Sequence, residues 1–223
     1  MIPGSVKKQV LDGSENASLG FRELADALHG FYQKYSVPFI PYRDVSLPHF
    51  SKLPVEFQKI VLSTLGEVVD LNAEMERNGE KPVDSAKLLW RSLNRLGWRP
   101  LSDIFDKIES DDVVEIYSDA NLQVFRNMNF FRHITISLEE ICTHPWYQIA
   151  EMDKAATEYY ATLAPKMKNN SITETYRTPI PKYLAKELMG EKKVLEITPR
   201  WMSPVFAGSQ CVGMISLVKS RTR

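Results

Sequence analysis

Residues 112–141 read "DVVEIYSDANLQVFRNMNFFRHITISLEEI", and the reading of this stretch decides the fold. "VVEIYS" is rich in β-branched and aromatic residues and alternates loosely, which predicts a strand. "DAN" is turn chemistry, because Asp and Asn tolerate backbone angles that most side chains avoid. "LQVFRNMNFF" then predicts the second strand of a hairpin. Leu122, Val124, Arg126, Met128 and Phe130 fall on one face, and Gln123, Phe125, Asn127, Asn129 and Phe131 on the other. Ser137 with Glu140 three residues later forms a capping box that opens a helix.

The chain before this stretch speaks a helical grammar. In "FRELADALHGFYQKY", Phe21, Leu24, Leu28, Phe31, Tyr32 and Tyr35 recur at three- and four-residue steps on one helical face, with Ser18 as the N-cap. Pro38, Pro41, Pro48 and Pro54 make the next segment an extended connector over the surface of a helical bundle. A second, long helix starts at Pro54. Its apolar stripe is Phe57, Ile60, Val61, Leu65, Val68, Leu71 or Asn72, and Met75. Asp84 or Ser85 caps a third helix that Gly97 closes, and a short fourth follows Ser102. The division expected is a flexible lead-in over 1–17, a helical region over 18–110 and a strand-containing domain over 111–223.

After the stretch, "LEEICTHPWYQI" predicts a helix broken at Pro145, and "AEMDKAATEYYATLAPKM" a longer one. "NNSITETYRTPIP" turns strand-like, and "PKYLAKELMG" predicts a short helix ending at Gly190. "KKVLEITPRWMSPVFAG" and "SQCVGMISLVKS" close the chain as two strands around "AGSQ". Pro199 and Pro204 argue that the first of these is not a fully paired central strand.

Two strands, a set of short helices and three closing strands is an order that resembles the PAS-like sensory domains. The resemblance covers roughly residues 111–220. It is carried by "VVEIYSDANLQVFRNMNFF" as opening hairpin, "SLEEICTHPW" as first helical turn and "VLEITPRWMSPVFAGSQCVGMISLVK" as closing hairpin. It implies an α+β protein, a PAS-like antiparallel sheet with flanking helices behind an N-terminal helical region. It also implies a regulatory or signalling role through ligand or partner sensing, and a dimer through the N-terminal helices. The cysteine-containing "NCRFLQ"-like stretch of flavin photosensors does not occur. His133 and His144 are the only histidines of the region that a haem could use as axial ligand. No cofactor is predicted, and haem or another small ligand stays compatible with the sequence.

Candidate ligand-binding residues are Phe125, Arg126, His133, Trp146, Tyr147, Arg200 and Trp201. The aromatic ones could wall a pocket, or pack a core. Arg126 and Arg200 could hold an anion by bidentate contacts, or pair across the sheet with Glu115, Glu174 and Glu196. No residue is predicted as catalytic or as a metal ligand, since the four histidines are scattered and Cys142 and Cys211 stand alone. Lys plus Arg is 28 and Asp plus Glu is 28, so the chain carries no net charge to draw it to nucleic acid. A nucleic-acid adaptor is therefore the least favoured reading. With no long apolar run and no signal-peptide pattern, a cytoplasmic protein without membrane contact is expected. A protein partner and a small-molecule ligand are the partners expected. The alternative function is a small α+β enzyme or carrier with an apolar cavity, which requires a polar group of displaced pKa inside that cavity.

Overall fold

The computed structural model describes residues 14–119 and 123–223. Three long helices lead, α1 (Ser14–Lys34), α2 (Val55–Arg77) and α3 (Ser85–Leu96). Strand β1 (Arg99–Pro100), a 3-10 turn at Ser102–Lys107 and the hairpin of β2 (Val113–Ser118) and β3 (Gln123–Arg126) follow. The middle of the chain holds helices α4 (Met128–His133), α5 (Leu138–Thr143) and α6 (Trp146–Ile149), strand β4 (Ala150–Met152), and helices α7 (Lys154–Ala161) and α8 (Leu163–Lys168). Strands β5 (Tyr176–Arg177), β6 (Tyr183–Glu187), β7 (Val194–Ala207) and β8 (Gln210–Thr222) close it. The fold is α+β, as expected: N-terminal helices, then a curled antiparallel sheet with flanking helices. Of the expected lead-in, residues 1–13 lie outside the described residues, and 14–17 belong to α1. Ala120 to Leu122, which include most of the "DAN" turn, also lie outside them.

The sheet runs β3-β2-β8-β7-β6-β4, with β1 and β5 paired to β7. Its two faces are separately covered. Val114, Ile116, Phe125, Val205, Ile215 and Leu217 pack against Leu71 and Met75 of α2 and Leu88, Leu89 and Leu93 of α3. Val113, Tyr183, Leu195, Ile197 and Val218 on the other face pack with Ala156 of α7. A third cluster joins α1, the connector and α2 to α4, α5 and α6, through Phe21, Leu28, Tyr32, Phe50, Leu65, Phe131 and Ile141 among others. The change of grammar near residue 111 thus marks the start of the β2–β3 hairpin but no division of the packing, since β1 already belongs to the sheet and α2 and α3 cover it.

The hairpin departs from the expected alternation. Glu115 pairs with Arg126 and Ile116 with Phe125, but Tyr117 pairs with Gln123, so Val124 is an extra residue in β3. The bulge puts Gln123 and Arg126 on the same face, where strict alternation separates them. The strand also ends at Arg126. Asn127 is fully buried and caps α4, its Oδ1 accepting from the Phe130 N–H at 3.3 Å, so Met128 to Phe131 are helical and not strand.

Other segments differ from expectation for tertiary reasons. "YLAKE" favours a helix by composition but forms β6, where Tyr183 opposes Ile197 and Ala185 opposes Leu195. Sheet pairing overrides propensity here. The turn after β6 is clamped. The Glu187 carboxylate accepts from the Thr135 N–H at 2.7 Å and the Lys193 N–H at 3.1 Å. Gly190, at φ +69°, lies so close to Thr135 that a Cβ would stand 2.8 Å from its carbonyl oxygen. The expected long helix after Ile149 is instead β4, α7 and α8.

β7 is central despite its prolines. β8 pairs along its length, while the opposite side is divided among β6 (Val194–Ile197), β5 (Trp201–Met202) and β1 (Val205–Phe206). Pro199 and Pro204 fall in the two gaps, where the ladder is already interrupted. In α2, Phe57 and Ile60 of the expected stripe stand 58% and 60% exposed. Gln58 turns inward instead and donates to the carbonyls of Phe50 and Leu53 at 3.3 and 3.1 Å. The proline-rich connector is not a surface strap, since Val37, Phe39, Leu47 and Phe50 are buried.

Candidate functional site: a cavity between sheet and helices

The second sheet face does not close completely against the helices. A cavity of about 140 Å³ remains between β2, β8, β7 and β6 on one side and α4, α6, α7 and α8 on the other. Its walls are mostly apolar, from Val113, Phe130, Ile149, Leu163, Leu195 and Ile197. Three methionines, Met152, Met167 and Met214, reach it from three different elements.

One polar group of unusual setting enters this wall. Glu115, on β2, is buried, and its hydrogen bonds come from neutral side chains. Gln123 Nε2 donates to its carboxylate, and the Tyr117 hydroxyl adds a second hydrogen bond. Arg126, its cross-strand partner, donates through Nε to Gln123 Oε1 at 2.5 Å, so Gln123 bridges the two charged side chains. Burial pushes the Glu115 carboxyl up to about 7, opposed by the Arg126 charge. Burial also lowers the Arg126 guanidinium, which lies 5.5 Å over the Phe130 ring. Tyr160 and Tyr183 complete the polar end. The Tyr183 hydroxyl donates to that of Tyr160 at 3.5 Å, and burial pushes the Tyr160 phenol up to about 12, with the Glu115 charge adding to the rise. Ser216 lies opposite Glu115 across the β2–β8 pair and also lines the cavity.

Of the residues proposed from sequence, His133 and Trp146 line the cavity and Arg126 stands behind its polar end. Burial, then the neighbouring Arg132 charge, lowers the His133 imidazole. Phe125 lies on the opposite face, among the α2 and α3 contacts. Trp201 packs there too, with Lys107 Nζ 4.3 Å and Arg177 Cζ 5.2 Å from its ring centroid. Tyr147 is 60% exposed. Arg200 is the extra residue of a bulge in β7 and pairs with Glu109 and Asp112, joined by Lys219. Glu196 forms ion pairs with Lys182 and Arg221 and takes no part in the cavity wall. His144 is in ring contact with His49, centroids 4.7 Å apart, on the connector side of α5.

Sequence reasoning missed Glu115, Tyr117, Gln123, Tyr160 and Tyr183 as site residues. Glu115 and Tyr117 share one face of β2 by simple alternation, but the bulge that adds Gln123 and Arg126 to that face leaves no mark in the sequence. Chemically, the site can enclose a small, mostly apolar molecule and meet one polar group with donors and acceptors held in place. A volume of this order suits a single ring rather than a porphyrin, since an engineered cavity of about 150 Å³ accommodates benzene. Among the described residues, no cluster of three or more His, Cys, Asp or Glu is placed to hold a metal ion, and no helix is long and apolar enough to cross a membrane. No family model, curated protein or solved structure matches the chain.

Proposed function

We propose that the protein is a regulatory module of PAS-like type that binds a small molecule in this cavity and passes the event to its N-terminal helices and a protein partner. The observation that carries the reading is the cavity itself, a mostly apolar chamber with the buried side chains of Glu115 and Glu187 in its wall, lying between a curled sheet and short helices. The order β3-β2-β8-β7-β6, in which the opening hairpin lies beside the last strand, supports it further. A route outward exists in α4. Phe130 lines the cavity, and the adjacent Phe131 meets Tyr32 of α1 and Phe39 edge-on, centroids 5.2 and 5.1 Å apart. A ligand that displaces Phe130 favours a different seating of α4, and it shifts the molecule only by its difference in affinity for the two seatings.

Amide chemical shifts on titration with benzene test this. Shifts are expected on β2, β8 and α4, and also at Tyr32 and Phe39. Unmoved cavity residues would remove the binding reading. Movement confined to the cavity would remove the signalling part.

One observation favours a second reading, an enzyme or carrier. A carboxyl titrating near 7 in an apolar chamber is the setting of a general base. The two readings separate on the fate of a bound ligand, which a sensor returns unchanged after prolonged incubation in deuterated buffer and a proton-abstracting enzyme returns labelled.

A further inference from the structure

We infer that the cavity selects a neutral single-ring aromatic molecule bearing one hydroxyl, with the hydroxyl placed between Glu115 and Tyr160. This deepens the binding reading above and rests on it.

Three properties of the chamber lead there. The first is size, since about 140 Å³ accommodates one ring with a small substituent. The second is the wall. Met152, Met167 and Met214 offer polarizable sulfurs, and Phe130 and Tyr160 offer ring edges and faces. Thioethers and ring edges favour an aromatic guest over an aliphatic one of equal area.

The third is charge and hydrogen bonding. Glu115 lines one end of the chamber, and Arg126, behind it, carries the opposite charge, the two bridged by Gln123. A carboxylate ligand meets Glu115 in the wall as a like charge, and an ammonium ligand gives up its hydration to meet a carboxylate whose charge Arg126 already opposes, so either sign is penalised. A neutral group meets neither penalty. The hydrogen bonds then select among neutral groups. Tyr160 accepts from Tyr183, and its own proton has no acceptor among the described residues. Tyr160 and Glu115 both line this chamber, and the Glu115 charge acts on the Tyr160 phenol. A ligand hydroxyl is both donor and acceptor, so it takes the Tyr160 proton and donates to the Glu115 carboxylate. An ether can only accept and a halide does neither well, so both leave one of these protein groups unanswered.

Calorimetric titration of the full chain at pH 8 with phenol, benzene, anisole and benzoate tests the assignment. Phenol should bind about tenfold more tightly than benzene or anisole, the ratio that one hydrogen bond to an ionised group supplies, and benzoate should not bind. Tyr160→Phe keeps the ring and removes the hydroxyl, both the donor to the ligand and the acceptor of the Tyr183 hydroxyl. It should bring phenol to within about threefold of benzene, the ratio of the two affinities being the readout. Ala185→Phe, which fills the chamber from β6, should abolish binding of every probe. Equal affinity for phenol and benzene, or tighter binding of benzoate, overturns the hydroxyl selection and leaves the cavity reading standing. Failure of benzene and phenol alike overturns both. Binding that survives Ala185→Phe places the site elsewhere and overturns both as well.

Discussion

Glu115 shows how one buried carboxyl couples fold and site. Its side chain is 8% exposed, and burial holds its pKa near 7 against an ordinary 4.5. The folded state therefore keeps a proton that the unfolded chain releases. The stabilising effect of that proton is complete below about pH 4.5 and is lost as pH rises to about 7; the full loss is on the order of 3 kcal/mol. Glu115→Gln, which keeps an acceptor for Gln123 and cannot ionise, should remove this loss. Urea denaturation is the measurement. The variant should match the wild type near pH 4.5 and exceed it by about 1–3 kcal/mol at pH 8. A wild type that gains stability relative to Glu115→Gln between these values would show that the Arg126 attraction outweighs burial. At this scale the sequence was half legible. It placed Glu115 on a strand opposite arginines, which is correct for its cross-strand partner Arg126. It could not show that Glu115 faces a chamber and not solvent, because burial of a charged side chain depends on helices distant in the chain.

At the scale of elements, the junction of β3 and α4 is organised by Asn127. Its Oδ1 accepts from the Val114 N–H at 3.1 Å and the Phe130 N–H at 3.3 Å. Its Nδ2 donates to Ser85 Oγ at 2.7 Å and to the Asp112 carbonyl at 2.7 Å. One amide thus ties the hairpin, the start of α4 and the start of α3. Asn127→Ala removes a helix cap and leaves several buried groups unpaired, and should cost about 2–4 kcal/mol in urea denaturation. Ser85→Ala leaves Asn127 three of its four partners and should cost less than about 1 kcal/mol. Equal losses would mean that the amide acts only through Ser85. The cap was present in the sequence as an asparagine before an apolar run, yet the alternation of "LQVFRNMNFF" outweighed it. Where a strand pattern meets a capping residue, the bulge and the cap decide together, and only the cap has a sequence signal. The helices α2 and α3 were legible for the opposite reason. In α3, Asp84 accepts from the Lys87 N–H and Gly97 sits in the left-handed region at φ +66°, both as local rules require.

For the whole molecule, the question is whether residues 111–223 stand alone as the change of grammar suggests. The packing says they do not. Val114, Ile116, Val205, Ile215 and Leu217 have no exposed surface, and the helices that cover them are α2 and α3. β1 and the 3-10 turn before β2 add further contacts, since β1 pairs with Phe206 and Val205 of β7. Uncovering five such side chains forfeits about 2 kcal/mol each, a total on the order of the entire stability of a domain. A fragment of residues 111–223 should therefore lack cooperative unfolding and a dispersed amide spectrum, while the full chain shows both. A well-dispersed, cooperatively melting fragment would instead make the helical region a detachable partner. Local pattern located the start of the β2–β3 hairpin, but a change in pattern is not a boundary in packing. The residues that join the two regions, Phe131 against Tyr32 and Leu217 against the α2–α3 pair, are individually ordinary apolar positions that sequence cannot match across such distances. That joint burial also gives the proposed signal its route. A sheet whose one face lines a cavity and whose other face carries the N-terminal helices cannot repack on one side without a cost on the other.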